Sequence, residues 1–306
     1  MRMITRLMSV GALSGLLFAP SVQAEILDYN HAFSYSEIGS ETVSYGEKTL
    51  FVGEELNMNT AVTNIAQRSG GYTPISEFAG FYVQTSTTLD PLSTTEEWIL
   101  PTYGVVQRDE RKVRWNELNI MYSWLFANSG YHVVGGVNIA TLSFIRSYFR
   151  AGEGTPALNA YLATIYPPDP VTGDPVELTF SDGAITEDST HMVANVGFRY
   201  DSTFLDPDET TRLLWGVSVG VPMYYKVENS NFPGVTWTSN FEGYDITANV
   251  GYGFQIYEKF MLSMSSEFLY KFRPETEGIA VTGGTGKIPD VTIGSLRLAL
   301  GVEWSY

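Results

Sequence analysis

Three histidines (His31, His132 and His191) and no cysteine set the range of chemistry open to this chain. Without cysteine there is no thiol nucleophile, no disulfide and no thiolate metal site. His191 lies close behind Asp188 and Ser189, the three residue types of a nucleophile–base–carboxylate relay. In such a relay the imidazole must bond the hydroxyl on one side and the carboxylate on the other. Adjacency in sequence does not supply that geometry, and a polar rim is the simpler reading. The carboxylates Glu54–Glu55, Asp90 with Glu96–Glu97, and Asp206, Asp208 and Glu209 stand among turn-forming residues and read as solvated turns. No cluster of His, Asp and Glu has metal-ligand spacing, so neither a metal nor another cofactor is expected. Gly283-Gly284-Thr285-Gly286-Lys287 has the composition of a phosphate loop without its spacing, and reads as a loop tip.

A second set of ionisable residues is spaced regularly. Glu117, Arg146, His191, Arg199, Asp201, Asp245, Glu267, Lys271, Arg297 and Glu303 share a parity with small or polar residues, while the opposite parity is apolar. Successive side chains of a strand point to opposite faces, so such residues line one wall of a sheet. The stretch Val291–Tyr306 is the clearest case. Leu296, Leu298, Leu300, Val302, Trp304 and Tyr306 make one face, and Ser295, Arg297, Ala299, Gly301, Glu303 and Ser305 the other. Soluble strands mostly run five or six residues, whereas a strand tilted across a membrane needs roughly 9–11 residues and aromatic anchors.

In chain order, a first strand is predicted over Glu25–Ile38, then a long segment Gly39–Pro74 with a short helix over Thr60–Gln67. Further strands are predicted over Ile75–Thr88, Glu97–Gln107, Val113–Phe126, Tyr131–Phe149, Thr190–Phe204, Arg212–Val227, Glu242–Ile256, Phe260–Phe272 and Val291–Tyr306. Leu89–Thr95 and its echo Leu205–Thr211 read as turns, as do Ala127–Gly130 and Tyr257–Lys259, while Arg108–Lys112 reverses the chain. The proline-rich insertion Arg150–Ser189 has room for one helix over Thr155–Ile165, with Thr155 as cap and Pro156 at the first position. Ten strands result, with eight or twelve as alternatives. An even count puts both ends on one side of a closed sheet. The short turns then fall on one rim and the long connections on the other, with Arg108–Lys112 as the exception.

This reads as an all-β, antiparallel, up-and-down transmembrane barrel. A sheet in lipid must close, because hydrocarbon cannot satisfy a backbone group. Arg or Lys facing lipid at mid-depth costs about 2–4 kcal/mol. Arg199, Lys226, Lys271 and Arg297 all take the polar parity, which is therefore the interior.

Residues 1–24 read as a secretory signal peptide: Arg2 and Arg6, an apolar run Leu7–Phe18, and Val22-Gln23-Ala24. Residues 25–306 then form one barrel domain. Without Arg2 and Arg6 the chain has 16 basic against 34 acidic residues, a formal charge of −18, which excludes a nucleic-acid partner.

Gly301, Trp304 and Tyr306, a glycine with aromatics three and five positions on, complete the pattern. With the signal peptide and the alternating strands, the chain resembles a Gram-negative outer-membrane β-barrel protein. The resemblance implies an outer-membrane location, insertion by the outer-membrane assembly machinery, and contact with outer-membrane lipids and lipopolysaccharide. Some barrels of that class are ten-stranded surface proteases with acidic and Asp–His pairs, and others are lipid hydrolases with Ser–His pairs. His31-Ala32-Phe33-Ser34 lacks the His-x-Ser spacing of the latter.

The inward charges are of mixed sign. They form either a polar pathway for a small solute or an ion-pair network that fills the lumen, since eight strands already leave an interior just wide enough for side chains. The expectation is a non-enzymatic, porin-like envelope barrel that passes or binds a small solute, or is structural. The alternatives are a surface protease or lipid hydrolase, and an adhesin or receptor acting through loops 39–74 and 150–189.

Overall fold

The computed structural model describes residues 32–305, apart from 128, 181, 206–209 and 281–284. The signal peptide, Glu25–His31 of the expected first strand, Asp206, Asp208, Glu209, Gly283, Gly284 and Tyr306 lie outside the described residues. In chain order the elements are β1 (Phe33–Phe51), β2 (Glu54–Ser76), β3 (Ala79–Asp90), β4 (Ser93–Leu100), β5 (Gly104–Leu125), β6 (Tyr131–Ala151), α1 (Thr155–Ile165), β7 (Ile185–Asp201), β8 (Thr211–Asn229), β9 (Val235–Ser239), β10 (Tyr244–Tyr257), β11 (Phe260–Arg273), β12 (Thr276–Ala280), β13 (Thr285–Ile288) and β14 (Asp290–Ser305). No described helix is long and apolar enough to cross a membrane, and none is needed for a chain that crosses with strands.

The sheet closes into a ring in which every neighbour is antiparallel. Around the ring β1 pairs with β2, β2 with β3 and β4, these with β5, and then β5 with β6, β6 with β7, β7 with β8, β8 with β10, β10 with β11 and β11 with β14, which returns to β1 with Ser305 opposite Phe33 and Asp290 opposite Lys48. β3 and β4 occupy one place in the wall, both lying between β2 and β5. The barrel is therefore ten-stranded. β9, β12 and β13 extend it beyond the ring at the end carrying the long connections.

The count of ten agrees with expectation through two compensating corrections. Gly39–Pro74 is not a loop with a helix. It is the upper part of β1, a two-residue turn at Val52–Gly53, and nearly all of β2. Both turn residues have positive φ, 47° and 83°, the backbone of a tight hairpin that follows the twist of its strands. Val-Gly, unlike Asn-Gly, does not announce such a turn. Conversely, the strand expected over Glu97–Gln107 is the end of β4, a turn and the start of β5, and Arg108–Lys112 runs straight on inside β5.

Leu89–Thr95 does not reverse the chain either. Pro91 cannot donate to the ladder, so the strand is interrupted between β3 and β4 but continues in the same direction. Asn64 spans the gap: its Nδ2 donates to Val113 O at 3.1 Å, and its Oδ1 accepts from Leu92 N at 3.3 Å. The helix falls where the prolines put it, with Gly154 and not Thr155 as its cap.

Outward side chains form an apolar belt on seven strands. It includes Leu118–Trp124 of β5, Leu213–Val221 of β8 and Leu296–Trp304 of β14. Tyr122, Trp124, Tyr131, Phe260 and Trp304 mark its lower edge, toward the short turns, while Lys112 and Arg114 project outward just above it on β5.

One parity assignment fails. Met192 pairs with Tyr224 but Val193 with Pro222, so Met223 bulges out and the faces of β8 exchange above it. Tyr225 and Val227 turn inward, while Lys226 points outside the barrel, where it pairs with Glu228 at 2.9 Å.

Candidate functional site

The ten ionisable residues expected to line the lumen, Glu117, Arg146, His191, Arg199, Asp201, Asp245, Glu267, Lys271, Arg297 and Glu303, are all placed inside the ring. They are not arranged as an open pathway. From the turn end upward, the interior is built in layers.

At the turn end, Arg212 bridges Asp201, at 3.0 Å through Nε, and Glu303. Phe33, Tyr72, Tyr82 and Val134 pack beside this trio, with Phe204 from a 3-10 turn against them. The next layer is a continuous network. Arg68 binds Glu37 at 2.6 Å and Glu267 at 2.7 Å, and Arg297 binds Glu267 at 3.1 Å and Glu41 at 2.6 Å. Lys271 sits between Glu117 at 3.2 Å and Asp245 at 3.4 Å, and Arg273 binds Asp245 at 2.6 Å. Removing charges from water is costly unless each finds a partner, and here the carboxylates and cations meet almost one to one.

Above the network the lumen turns apolar. Val43, Tyr45, Val62, Val113, Trp115, Leu142, Phe144, Val227 and Ile293 form one buried cluster across the barrel. It is an ordinary hydrophobic core, at a level where the outward belt has already ended on β5 and β6. A second charged layer lies over it. Arg146 binds Glu96 at 2.6 Å and also Glu47, and Arg111 binds Glu96 while stacking over Phe144 at 4.2 Å. At the loop end, α1 packs Leu158 and Leu162 against Leu56, Leu100 and Val106.

Several of these residues escaped the reading of the sequence. Glu96 is not a solvated turn residue but fully buried, and Asp109 and Arg111 belong to a strand, not a reversal. Against burial, which alone would push it up, Arg146 and Arg111 hold the Glu96 carboxyl below its ordinary value. Asp109 goes the other way: burial, then the charge of Glu96, raises it to about 7. Both lie above the belt. A raised carboxyl keeps its proton in the folded state, so its contribution is complete at low pH and is lost as pH rises from about 4 through about 7. Asp109→Asn is therefore expected to raise the melting temperature at pH 8.5 by several degrees and to leave it unchanged at pH 4, read by thermal unfolding of the folded barrel in detergent. An equal shift at both pH values would refute the assignment.

The Asp188, Ser189, His191 group does not assemble as a relay. Asp188 faces outward and accepts from Ser143, whereas Ser189 and His191 face inward with Ser189 Oγ 2.9 Å from His191 Nε2. The other ring nitrogen, Nδ1, lies 3.3 Å from Arg273 Nη2. A guanidinium can only donate, so Nδ1 is the acceptor and the ring proton sits on Nε2, pointing at the hydroxyl. That tautomer cannot take the proton of Ser189, and no carboxylate orients it. A second pair, Ser123 Oγ with His132 Nδ1 at 2.8 Å, is fully buried at the turn end. Among the described residues no group of three or more His, Asp or Glu could hold a metal ion.

Within the lower lumen the walls are unequal. Gly251, Gly253, Ser263 and Ser265 of β10 and β11 are small, and a Cβ added at Gly251 or Gly253 would meet nothing closer than 3.5 Å. The space they leave is a chamber of about 150 Å³. Arg199 faces it, stacked over Tyr82 at 4.2 Å, with the carboxamides of Gln84, Asn119, Asn138, Asn195 and Asn249 around it. Among the described residues Arg199 is the one lumenal cation with no carboxylate at ion-pair distance, and its Nε has no hydrogen-bond partner.

No protein-family model and no curated relative matches the sequence. Solved structures do match by fold. The outer-membrane protease OmpT from Escherichia coli aligns over 90% of this chain and 97% of its own, with a TM-score of 0.62 and 8% identity. The transport unit of the autotransporter AIDA-I from Escherichia coli aligns over 96% of each chain with a TM-score of 0.41 and 9% identity, and the outer-membrane protein OprG from Pseudomonas aeruginosa over 90% and 97% with a TM-score of 0.36 and 8% identity. The chain has the fold of the Gram-negative outer-membrane β-barrels.

Proposed function

We propose that this chain is a non-enzymatic outer-membrane barrel, closed to free diffusion, whose lower lumen binds a small polar anion. The observation that carries the reading is Arg199, which faces the chamber without a carboxylate at ion-pair distance, beside five carboxamides that can donate or accept, while the carboxylates of the same wall, Glu37, Glu117, Asp245, Glu267 and Glu303, are each held by another cation. Arg199 is half-buried and its Nε has no hydrogen-bond partner; a partly desolvated guanidinium gains from a charged acceptor, which a small anion would supply. The apolar cluster above argues against a through-pore, because water and ions would have to cross a packed hydrophobic layer. Ser189 and His191 hold the wrong tautomer for a nucleophile–base pair, which counts against a serine hydrolase at this place.

Lys112 and Arg114, exposed immediately above the belt, suit the phosphates of lipopolysaccharide at the outer headgroup level. Folding would proceed through the outer-membrane assembly machinery, with Gly301 and Trp304 as part of its signal.

Folded protein in a planar bilayer is expected to be silent. In thermal unfolding, acetate, succinate or inorganic phosphate is expected to raise the melting temperature of wild type and not of Arg199→Ala. Steady openings of the wild type would overturn the closed lumen. Equal anion stabilisation of both proteins would overturn the role of Arg199.

A further inference from the structure

The apolar belt is incomplete. Of the ten positions in the ring, seven strands present it in full and β3 in part, through Phe81 and Val83, but β1 and β2 do not. From Ser34 to Gly46 the outward residues of β1 are Ser34, Ser36, Ile38, Ser40, Thr42, Ser44 and Gly46, and those of β2 opposite them include Asn59, Thr63, Gln67 and Ser69. This is the depth at which neighbouring β14 shows Leu296, Leu298, Leu300 and Val302. Moving the membrane boundary up or down does not help, since no height on these two strands offers an apolar run.

Part of this face is satisfied across the ladder. Thr42 and Thr63 hydroxyls lie 3.0 Å apart, and those of Ser69 and Thr85 3.1 Å apart. Ser36, Ser40 and Gln67 have no partner among the described residues, and Ser40 and Gln67 are exposed. Lipid offers a hydroxyl or carboxamide nothing to bond. The same wall is also hollowed toward the loop end. Ser44, Gly46, Ala61 and Gly294 floor an outward groove beside the aromatic ridge of Tyr270 and Phe272. Small residues at such a place let two backbones approach closely.

We infer that the outward face of β1 and β2 is an interface between two copies of this chain within the membrane. The occupant is a second copy because the face is self-complementary. It carries no net charge in the belt, and its hydroxyls and carboxamide each both donate and accept. Two such faces related by a two-fold axis can pair group for group. A partner bearing an apolar surface would leave Gln67 and Ser40 as unsatisfied as lipid does.

The chain has no native cysteine, so single-cysteine variants report contact without background. Ser40→Cys, Gln67→Cys and, as a control on the opposite wall, Val219→Cys would be oxidised in outer-membrane preparations of the full chain. The expected result is a disulfide-linked species of twice the monomer mass from Ser40→Cys or Gln67→Cys and none from Val219→Cys. A separate variant, Ser40→Leu with Gln67→Leu, is expected to remain folded and to lose the dimer on chemical cross-linking, where wild type keeps it. Monomer alone from both test positions in folded protein would overturn the inference. So would equal cross-linking of Val219→Cys, which marks random collision, or a linked species of any other mass, which marks a different partner.

Discussion

Replacing Arg297 with leucine is expected to lower the unfolding free energy by about 3–5 kcal/mol. Arg297 lies between Glu41 and Glu267, and also donates to Ser86 at 2.8 Å. Without it, Glu267 keeps Arg68, but Glu41 keeps only the hydroxyl of Ser295 at 3.1 Å. A carboxylate stranded inside the ring costs far more than the pair ever contributed, because the Coulombic gain of a buried pair is largely spent on desolvation. The double variant Arg297→Leu with Glu41→Leu is therefore expected to recover most of the loss. Urea unfolding of the folded chain in lipid vesicles measures both. A single-variant loss under about 1 kcal/mol, or a double variant no better than the single, would show that the network is solvated rather than sealed.

Phe144→Ala is expected to cost about 3–5 kcal/mol and, unlike the first substitution, to change what the barrel lets through. Phe144 packs against Tyr45 with ring centroids 4.2 Å apart and lies under Arg111, in the middle of the apolar layer. Truncation leaves a hole in the layer that separates the two charged networks. Ions then have charged groups on both sides and no packed barrier between them. Planar-bilayer recording is expected to show leak current for Phe144→Ala and silence for wild type. A silent variant that had lost the expected stability would place the seal elsewhere, at α1 and the loop end.

The second half of the barrel was legible in the sequence because its outward parity is uniformly apolar: Leu213 to Val221, Ile246 to Phe254 and Leu296 to Val302 alternate with glycine, serine and single charges. The first half was not, and the cause is physical. On β1 the inward residues Phe33, Tyr35, Val43 and Tyr45 are apolar among glutamates, while the outward residues are serine and threonine. The contrast that marks a lipid-facing strand is inverted there, so Glu37, Glu41, Glu47 and Arg68 went unread as lumenal. Glu96, Asp109 and Arg111 went unread because Pro91 and a run of charges imitate a turn. The bulge at Met223 could not be foreseen from alternation, since Tyr224 and Tyr225 fit either face. Proline at 222 was the one signal for it.

The interruption at Pro91 stands where the wall leaves the membrane. Ser93 of β4 pairs with Lys112, and the last pairing of β3 with β5, Thr87 with Asn116, lies just above the belt. Below the break the barrel is enclosed by lipid around a charged interior, and above it the wall is wetted outside around an apolar core capped by a second charged layer, as in a water-soluble protein. The molecule therefore consists of two storeys with opposite solvents, stacked on a seam where one strand's hydrogen-bond ladder is broken and bridged by a single asparagine. Backbone amides of β4 can exchange with solvent by openings that begin at that seam and leave the lower storey closed. The upper storey can thus open without breaching the wall beneath it.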